Sequence, residues 1–337
     1  MSLELIGITV LWIFLYGYLI VASIDFGAGF YAYYGRVVGI ESVIRPVISR
    51  YLSPVWEVTN VFFVFFFVGI VGFFPDTAYY YGTALLIPGS IALILLAIRG
   101  SFYAFANYGA RDNHLYLLTY GATGLLIPAS LSTVLTISEG GFLTVRENNV
   151  IFLAEELFFS SYSWAVVLLA ISSVLFISST FLTYYAAQAE DWPAVGWLRQ
   201  FSLWGGIPTI ISSLFIFIAL RNHNLRHFEN MLDIWWMFAL SLITFMLAVW
   251  LIWKQRNYGM AFILVMFQFA FAFFGYGISH LPYLLYPYVT IISGVTNPAM
   301  GRALVIAFVA GLFLLIPALI LLLRLFLFNL KYVKGET

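Results

Sequence analysis

The chain has 337 residues, of which 63% are hydrophobic and only 9% are charged, and its formal net charge is zero. No soluble fold of this length could bury so much apolar surface, so the sequence predicts an all-α, polytopic membrane protein. A neutral chain gives no electrostatic support for nucleic-acid binding. Because the chain has no cysteine, disulfides, iron–sulfur ligation and covalent c-type haem are excluded.

Long apolar runs predict nine membrane-spanning helices joined mostly by short connections. The predicted spans are residues 6–31, 53–74, 78–99, 115–137, 162–187, 200–220, 233–253, 258–279 and 303–328. The connection 138–161 contains Glu139 and a Gly140–Gly141 turn, and we expect it to be solvated. The connection 280–302 mixes tyrosine and proline, and we expect an outer interfacial loop there.

Four prolines fall inside predicted spans, and we expect each of them to bend its helix. A proline removes a backbone N–H donor, which a membrane helix tolerates when neighbouring groups satisfy the freed carbonyl. These residues are Pro88, Pro128, Pro208 and Pro317. A gating role for them is the alternative interpretation.

Lysine and arginine are distributed unequally between the two faces of the predicted bundle. Eleven of the 15 lie on the face that contains the C-terminus, and four lie on the other face. The positive-inside rule therefore predicts an outer N-terminus and a cytoplasmic C-terminus.

Asp25 is the one charged residue between Ile6 and Tyr31. A carboxylate within such a span costs roughly 2.5–3.5 kcal/mol on insertion scales, so we expect it to meet a proton, an ion or a partner charge. Tyr18, Ala22, Asp25 and Gly29 share one face of a helix, and this small, polar face is typical of helix–helix contacts.

Glu57 lies about one turn inside the second predicted span, at nearly the same depth from the cytoplasm as Asp25. Asn60 follows one turn later, and Arg99 ends the third span on the same side. Two interpretations remain open. In one, Asp25 and Arg99 form a structural ion pair and Glu57 interacts with a helix dipole. In the other, the two acids form a proton-uptake path from the cytoplasm, supported by Asn60 and Arg99.

The histidines argue against a haem in this chain, because a haem inside a bundle needs axial ligands at membrane depth. His114, His223, His227 and His280 all fall at or beyond the ends of predicted spans. The spacing of four between His223 and His227 suits a metal on a helix, but no third ligand is near in sequence. We therefore expect no haem and no metal site.

Four local motifs resemble subunit II of the cytochrome bd-type quinol oxidases. They are Ile24–Gly29, Pro54–Asn60, Phe74–Pro75 followed by Tyr79–Tyr81, and Arg99 with Phe102. The resemblance follows the order and the nine-span plan along nearly the full length, and it is most specific in the first hundred residues. The chain departs from many members at Val55, where they have histidine, at Glu57, where they have aspartate, and at Val58, where they have glycine.

The resemblance implies two four-helix bundles and one peripheral helix. The corresponding divisions are 1–137 for the first bundle, 138–161 for an outer connection, 162–279 for the second bundle, 280–302 for an outer loop, and 303–337 for the ninth helix and cytoplasmic tail. It also implies a haem-bearing subunit I as partner and no cofactor in this chain. The subunit would be needed for assembly, would supply Asp25 and Glu57 to proton uptake, and would not be catalytic alone.

Other expectations concern location and competing functions. The chain is expected in the bacterial cytoplasmic membrane, in contact with lipid, and a small accessory membrane subunit is an additional partner to consider. A proton- or cation-coupled secondary transporter with Asp25 in its ion site is the alternative function. A purely structural scaffold with static acids is a third hypothesis.

Overall fold

The computed structural model describes residues 2–106, 114–147 and 149–326, although the side chains of 51–58, 102–106, 323 and 326 lie outside this description. The described chain is built from helices and two short β-hairpins. The helices are α1 (Leu3–Val37), α2 (Glu41–Phe73), α3 (Asp76–Ala84), α4 (Leu86–Ala106), α5 (His114–Ser138), α6 (Ala154–Phe159), α7 (Ser161–Gln188), α8 (Trp192–His223), α9 (Leu225–Asp233), α10 (Trp235–Trp253), α11 (Tyr258–His280) and α12 (Pro298–Phe326). The antiparallel pairs are β1 (Leu143–Arg146) with β2 (Asn149–Phe152) and β3 (Tyr283–Leu285) with β4 (Val289–Thr290).

Seven helices in the described part of the chain are long and apolar enough to cross a membrane, namely α1, α5, α7, α8, α10, α11 and α12. The bent pair α3–α4 makes eight if it is counted as one span. The described side chains of α2 add a shorter apolar helix, Thr59–Phe73. The polytopic, helical class is therefore established, and nine spans stay a prediction.

We predicted one helix for the third span, 78–99, and this prediction was wrong because the structure has two helices there. α3 ends at Ala84, α4 begins at Leu86, and their axes differ by 77°. Pro88 accounts for the break, because it has no backbone N–H to donate to the carbonyl of Ala84. The chain therefore turns sharply before it continues toward Arg99.

α1 and α7 lie at the centre of the fold. α1 packs on α2, α5 and α7, whereas α7 packs on α8, α5 and α11 as well. Of the apolar spans, α7 is the most buried and α12 the least, and α12 packs mainly on α1 and α2. This places α12 at the periphery, while the division into two bundles stays a prediction.

Small residues let α1 approach its neighbours closely. A Cβ atom on Gly27 would lie 2.3 Å from the Cβ of Ser178 in α7, and one on Gly124 of α5 would lie 2.2 Å from the backbone oxygen of Phe26. The Ser178 hydroxyl donates to the carbonyl of Ile24 at 2.8 Å. These contacts follow the general use of small residues at membrane helix interfaces. The predicted contact face of α1, from Tyr18 to Gly29, is buried as expected.

The connection 138–161 differs from the expected solvated segment. It contains the β1–β2 hairpin and α6, and Glu139 is only 2% exposed. Gly140 and Gly141 have φ angles of +84° and +82°, a left-handed conformation that glycine adopts without strain. This turn keeps Glu139 at the helix ends, where histidine side chains surround it. The expectation that Glu139 is solvated was therefore wrong.

The loop 280–302 covers this end of the fold. The backbone N–H of Tyr286 donates to the carbonyl of Ser138 at 2.9 Å, and the Tyr288 hydroxyl donates to the carbonyl of Leu143 at 3.1 Å. The loop thus joins the β1–β2 hairpin to the end of α11.

Candidate functional site

Asp25 in α1 and Arg99 in α4 form an ion pair in the interior of the helix bundle. The Nε atom of Arg99 lies 2.9 Å from Oδ2 of Asp25, and the two side chains are 0% and 5% exposed. A second nitrogen of Arg99, Nη2, donates to the backbone carbonyl of Asp25 at 2.7 Å. The structure therefore brings together two of the four predicted site residues.

α5 completes this group, which we call the Asp25 cluster (Asp25, Arg99, Tyr120 and Thr123). Nη1 of Arg99 donates to the carbonyl of Tyr120 at 2.9 Å and to the hydroxyl of Thr123 at 3.2 Å. The Tyr120 hydroxyl donates to Oδ1 of Asp25 at 3.2 Å, and its ring lies 4.1 Å from the guanidinium carbon. Both carboxylate oxygens of Asp25 thus accept hydrogen bonds, and the charge of Arg99 is balanced where water is excluded.

Gly29 leaves the space that the guanidinium of Arg99 occupies. A Cβ atom at Gly29 would lie 3.1 Å from both terminal nitrogens of Arg99 and 2.8 Å from the carbonyl oxygen of Tyr120. The Asp-Phe-Gly-Ala-Gly sequence of α1 therefore supplies both the carboxylate and the room for its partner.

Glu57 and Asn60 belong to α2, which runs antiparallel to α1. The rings of Tyr18 and Phe63 lie 4.9 Å apart, which fixes the register of the two helices. Moving from Phe63 back to Glu57 corresponds to moving from Tyr18 forward to Ile24, beside Asp25. The backbone of Glu57 is therefore level with Asp25, while the Glu57 side chain lies outside the described residues. α2 begins at Glu41 and not near residue 53, so Glu57 lies well inside the helix, and the expectation that it interacts with a helix dipole was wrong. Asn60 is half-buried about one turn further along α2.

A second buried polar group lies at the other end of α5, and we call it the Glu139 cluster. Its members are Glu139, Asn224, His227, Tyr276, Ser279 and His280. Oε1 of Glu139 lies 2.8 Å from Nδ1 of His227 and 3.3 Å from Nδ1 of His280, and the Tyr276 hydroxyl donates to the same oxygen. Oε2 accepts from the amide of Asn224 at 2.9 Å. An acid and two histidines, distant in sequence, thus share one buried position.

The histidines determine the charge state of Glu139. Burial alone would raise the pKa of this carboxyl, but the hydrogen bonds and charges of His227 and His280 outweigh burial and bring the pKa below its ordinary value. Glu139 is therefore an ionised acceptor in the cluster.

The remaining histidines have other environments. His223 ends α8, its ring stacks on those of Phe142 and Tyr162, and its Nε2 lies 3.0 Å from the carbonyl oxygen of Gly140. α8 ends at His223 and a new helix begins at Leu225, so His223 and His227 do not share one helix face. His114 begins α5 and is exposed.

Sequence reasoning missed the Glu139 cluster because its members belong to three separated segments. Each lies at or just beyond the end of an apolar run on the same predicted face, and this was the signal that could have found it. Treating Glu139 as one of several solvated charges hid that coincidence. Spacing along the chain could not reveal the cluster, since α9 and α11 meet Glu139 only through tertiary packing.

Comparisons with known proteins agree with the fold. The family described as "Cytochrome bd terminal oxidase subunit II" matches residues 3–326. The chain is similar to the "Putative cytochrome bd menaquinol oxidase subunit II" of Bacillus subtilis strain 168, with 34% identity over 343 aligned positions and 98% coverage of both chains. It is also similar to a chain in the structure of bd oxidase from Geobacillus thermodenitrificans, with 57% identity, a TM-score of 0.86, and coverage of 98% of this chain and 100% of that one. The chain belongs to the cytochrome bd terminal oxidase subunit II family.

Proposed function

We propose that this chain is the haem-free subunit of a cytochrome bd-type quinol:O₂ oxidoreductase of aerobic respiration in the bacterial cytoplasmic membrane. The family match along residues 3–326 carries the proposal. The name of the Bacillus subtilis relative supports a quinol as the electron donor. In this complex a haem-bearing subunit I is the partner and reduces O₂ to water, and this chain is needed for its assembly.

The positions of the histidines support the absence of haem from this subunit. His114, His223 and His280 each stand at the end of a long helix, and His227 belongs to the short helix α9. None of them occupies the middle of a span, where a haem within the bilayer takes its axial ligand. Two of them, His227 and His280, are also engaged with Glu139.

The second part of the proposal is that Asp25 and Glu57 contribute to proton uptake from the cytoplasm, with Arg99 and Asn60 in supporting positions. The level placement of Asp25 and Glu57 on adjacent helices supports this role. Arg99 holds the Asp25 carboxylate in one orientation. The orientation proposed from Lys and Arg puts the N-terminus outside and both acids on the cytoplasmic side.

The direct test of the subunit assignment is to purify the complex through an affinity tag on this chain and record its absorption spectrum. We expect a second large hydrophobic chain and haem bands that belong to that chain. In cells that lack this chain, we expect the partner to lose its haem bands and its quinol oxidase activity. A colourless chain that purifies alone would contradict the proposal and favour the proton- or cation-coupled transporter.

A further inference from the structure

The Glu139 cluster has a pattern of contacts that a simple hydrogen-bond network does not explain. Three groups converge on one oxygen, Oε1 of Glu139, namely the Nδ1 atoms of His227 and His280 and the hydroxyl of Tyr276. A carboxylate oxygen has about two lone-pair directions for donors. This convergence brings one carboxylate oxygen and two imidazole nitrogens close enough together to bind one cation.

The contacts of His227 determine which of its ring nitrogens faces Glu139. Its Nε2 lies 2.7 Å from the Ser279 hydroxyl and 3.3 Å from the carbonyl oxygen of Tyr276. The Ser279 hydroxyl also lies 2.9 Å from the carbonyl oxygens of Gly275 and Tyr276, which hold it beside the His227 ring. Because Nε2 contacts these two oxygens, Nδ1 is the ring nitrogen of His227 that faces Oε1 of Glu139.

The contacts of Nε2 in His227 resemble those of metal-binding histidines. Such a histidine donates its non-coordinating N–H to a carbonyl, carboxylate or hydroxyl, which fixes the ring orientation and the tautomer. Asn224 does the same for the carboxylate, because its amide holds Oε2 and leaves Oε1 toward the rings. His280 lacks such a partner, because its Nε2 is buried without a hydrogen bond in the described chain, and its polar contact with the cluster is through Nδ1.

We propose that Glu139, His227 and His280 bind a first-row divalent metal ion, for which Zn²⁺ is the best match. The three ligand atoms all lie within 4.8 Å of one another. Zinc binds nitrogen and carboxylate oxygen at about 2.0–2.2 Å, so tetrahedral ligands stand about 3.3 Å apart. The 3.3 Å distance from Oε1 to Nδ1 of His280 matches that spacing, and the 2.8 Å distance to Nδ1 of His227 is shorter.

The ligand set also excludes the common hard cations. Two imidazoles and one carboxylate suit zinc and its neighbours, whereas Ca²⁺ and Mg²⁺ require a shell of oxygens. Tyr276 or a water is placed to take the fourth position. The bound ion would connect the end of α5 to α9 and α11, and would fix the end of the fold that carries both hairpins.

The test measures zinc in the intact complex, purified through a tag that contains no histidine. After chelator treatment, incubation with Zn²⁺ alone and removal of excess ion, mass spectrometry of the metal should find about one zinc per chain, as expected for a structural site. The variants Glu139→Gln and His227→Gln should reduce zinc affinity by at least about tenfold. His223→Gln, on the same face, and His114→Gln, at the other end of α5, serve as matched controls and should keep the ion.

Equal zinc content in the wild type and in both ligand variants would overturn the proposal, as would a wild type that takes up no zinc. If the ligand variants do not assemble, X-ray absorption at the zinc edge of the wild-type complex decides instead. The proposal requires scattering from two imidazoles. An all-oxygen shell would refute it.

Discussion

At the scale of single residues, the Asp25–Arg99 pair is the feature that the sequence most clearly anticipated. A lone carboxylate in an apolar span predicted a partner charge, and Arg99 is that partner at 2.9 Å. The sequence did not predict that Tyr120 and Thr123 complete the cluster, because neither is charged and both are common inside membrane helices. It left the choice between an ion pair and a proton relay open; the structure contains the ion pair, and the relay stays a proposal.

We predict that neutralising only one member of this pair destabilises the complex. Asp25→Asn or Arg99→Gln leaves an uncompensated buried charge or an unpaired carboxylate, at a cost of about 3–5 kcal/mol. The double variant Asp25→Asn/Arg99→Gln removes both charges and should recover much of the loss. The measurement is the apparent melting temperature and the yield of assembled complex for all four proteins.

The four proteins form a double-mutant cycle, which isolates the interaction between the two side chains. Effects that simply add in the double variant would show that the two charges do not depend on each other. That result would remove the structural role of the pair.

At the scale of helices and hairpins, apolar runs predicted where most helices lie. They did not predict the structure of the segments that connect the helices. The break between α3 and α4 shows why: Pro88 was expected to bend its helix, but the local pattern did not specify a 77° angle. The β1–β2 hairpin was missed because its strands are short, at four residues each. The burial of Glu139 follows from the Gly140–Gly141 turn together with partners from distant helices, which local patterns do not specify.

The orientation of these elements gives a prediction that the cysteine-free chain makes easy to test. Val38, 45% exposed at the C-terminal end of α1, and the exposed Arg146 of β1 lie at opposite ends of the fold. With an outer N-terminus, a membrane-impermeant maleimide added to intact cells should label Arg146→Cys and not Val38→Cys. Val38→Cys should react only after the membrane is opened. The reverse pattern would invert the proposed topology.

At the scale of the whole molecule, the Asp25 cluster and the Glu139 cluster lie at the two ends of α5. Tyr120 and Ser138 are separated by about 27 Å along this helix at 1.5 Å per residue, close to the hydrocarbon thickness of a bilayer. The Asp25 cluster balances charge near one face, and the Glu139 cluster joins three segments near the other. Under the proposed orientation, the first faces the cytoplasm, which supplies the protons, and the second faces outward.

The central claim is that the acids at the cytoplasmic end of this subunit support proton uptake by the oxidase. The most direct test measures O₂ reduction and proton uptake in assembled complexes that carry Glu57→Gln or the charge-neutral pair Asp25→Asn/Arg99→Gln. Glu155→Gln, an exposed acid at the other end, is the matched control. The account predicts that both rates fall by about a hundredfold in the Glu57 variant, the lower range for a lost proton-transfer group, and remain normal in the control. Unchanged rates in both the Glu57 variant and the charge-neutral pair, at normal haem content, would contradict it.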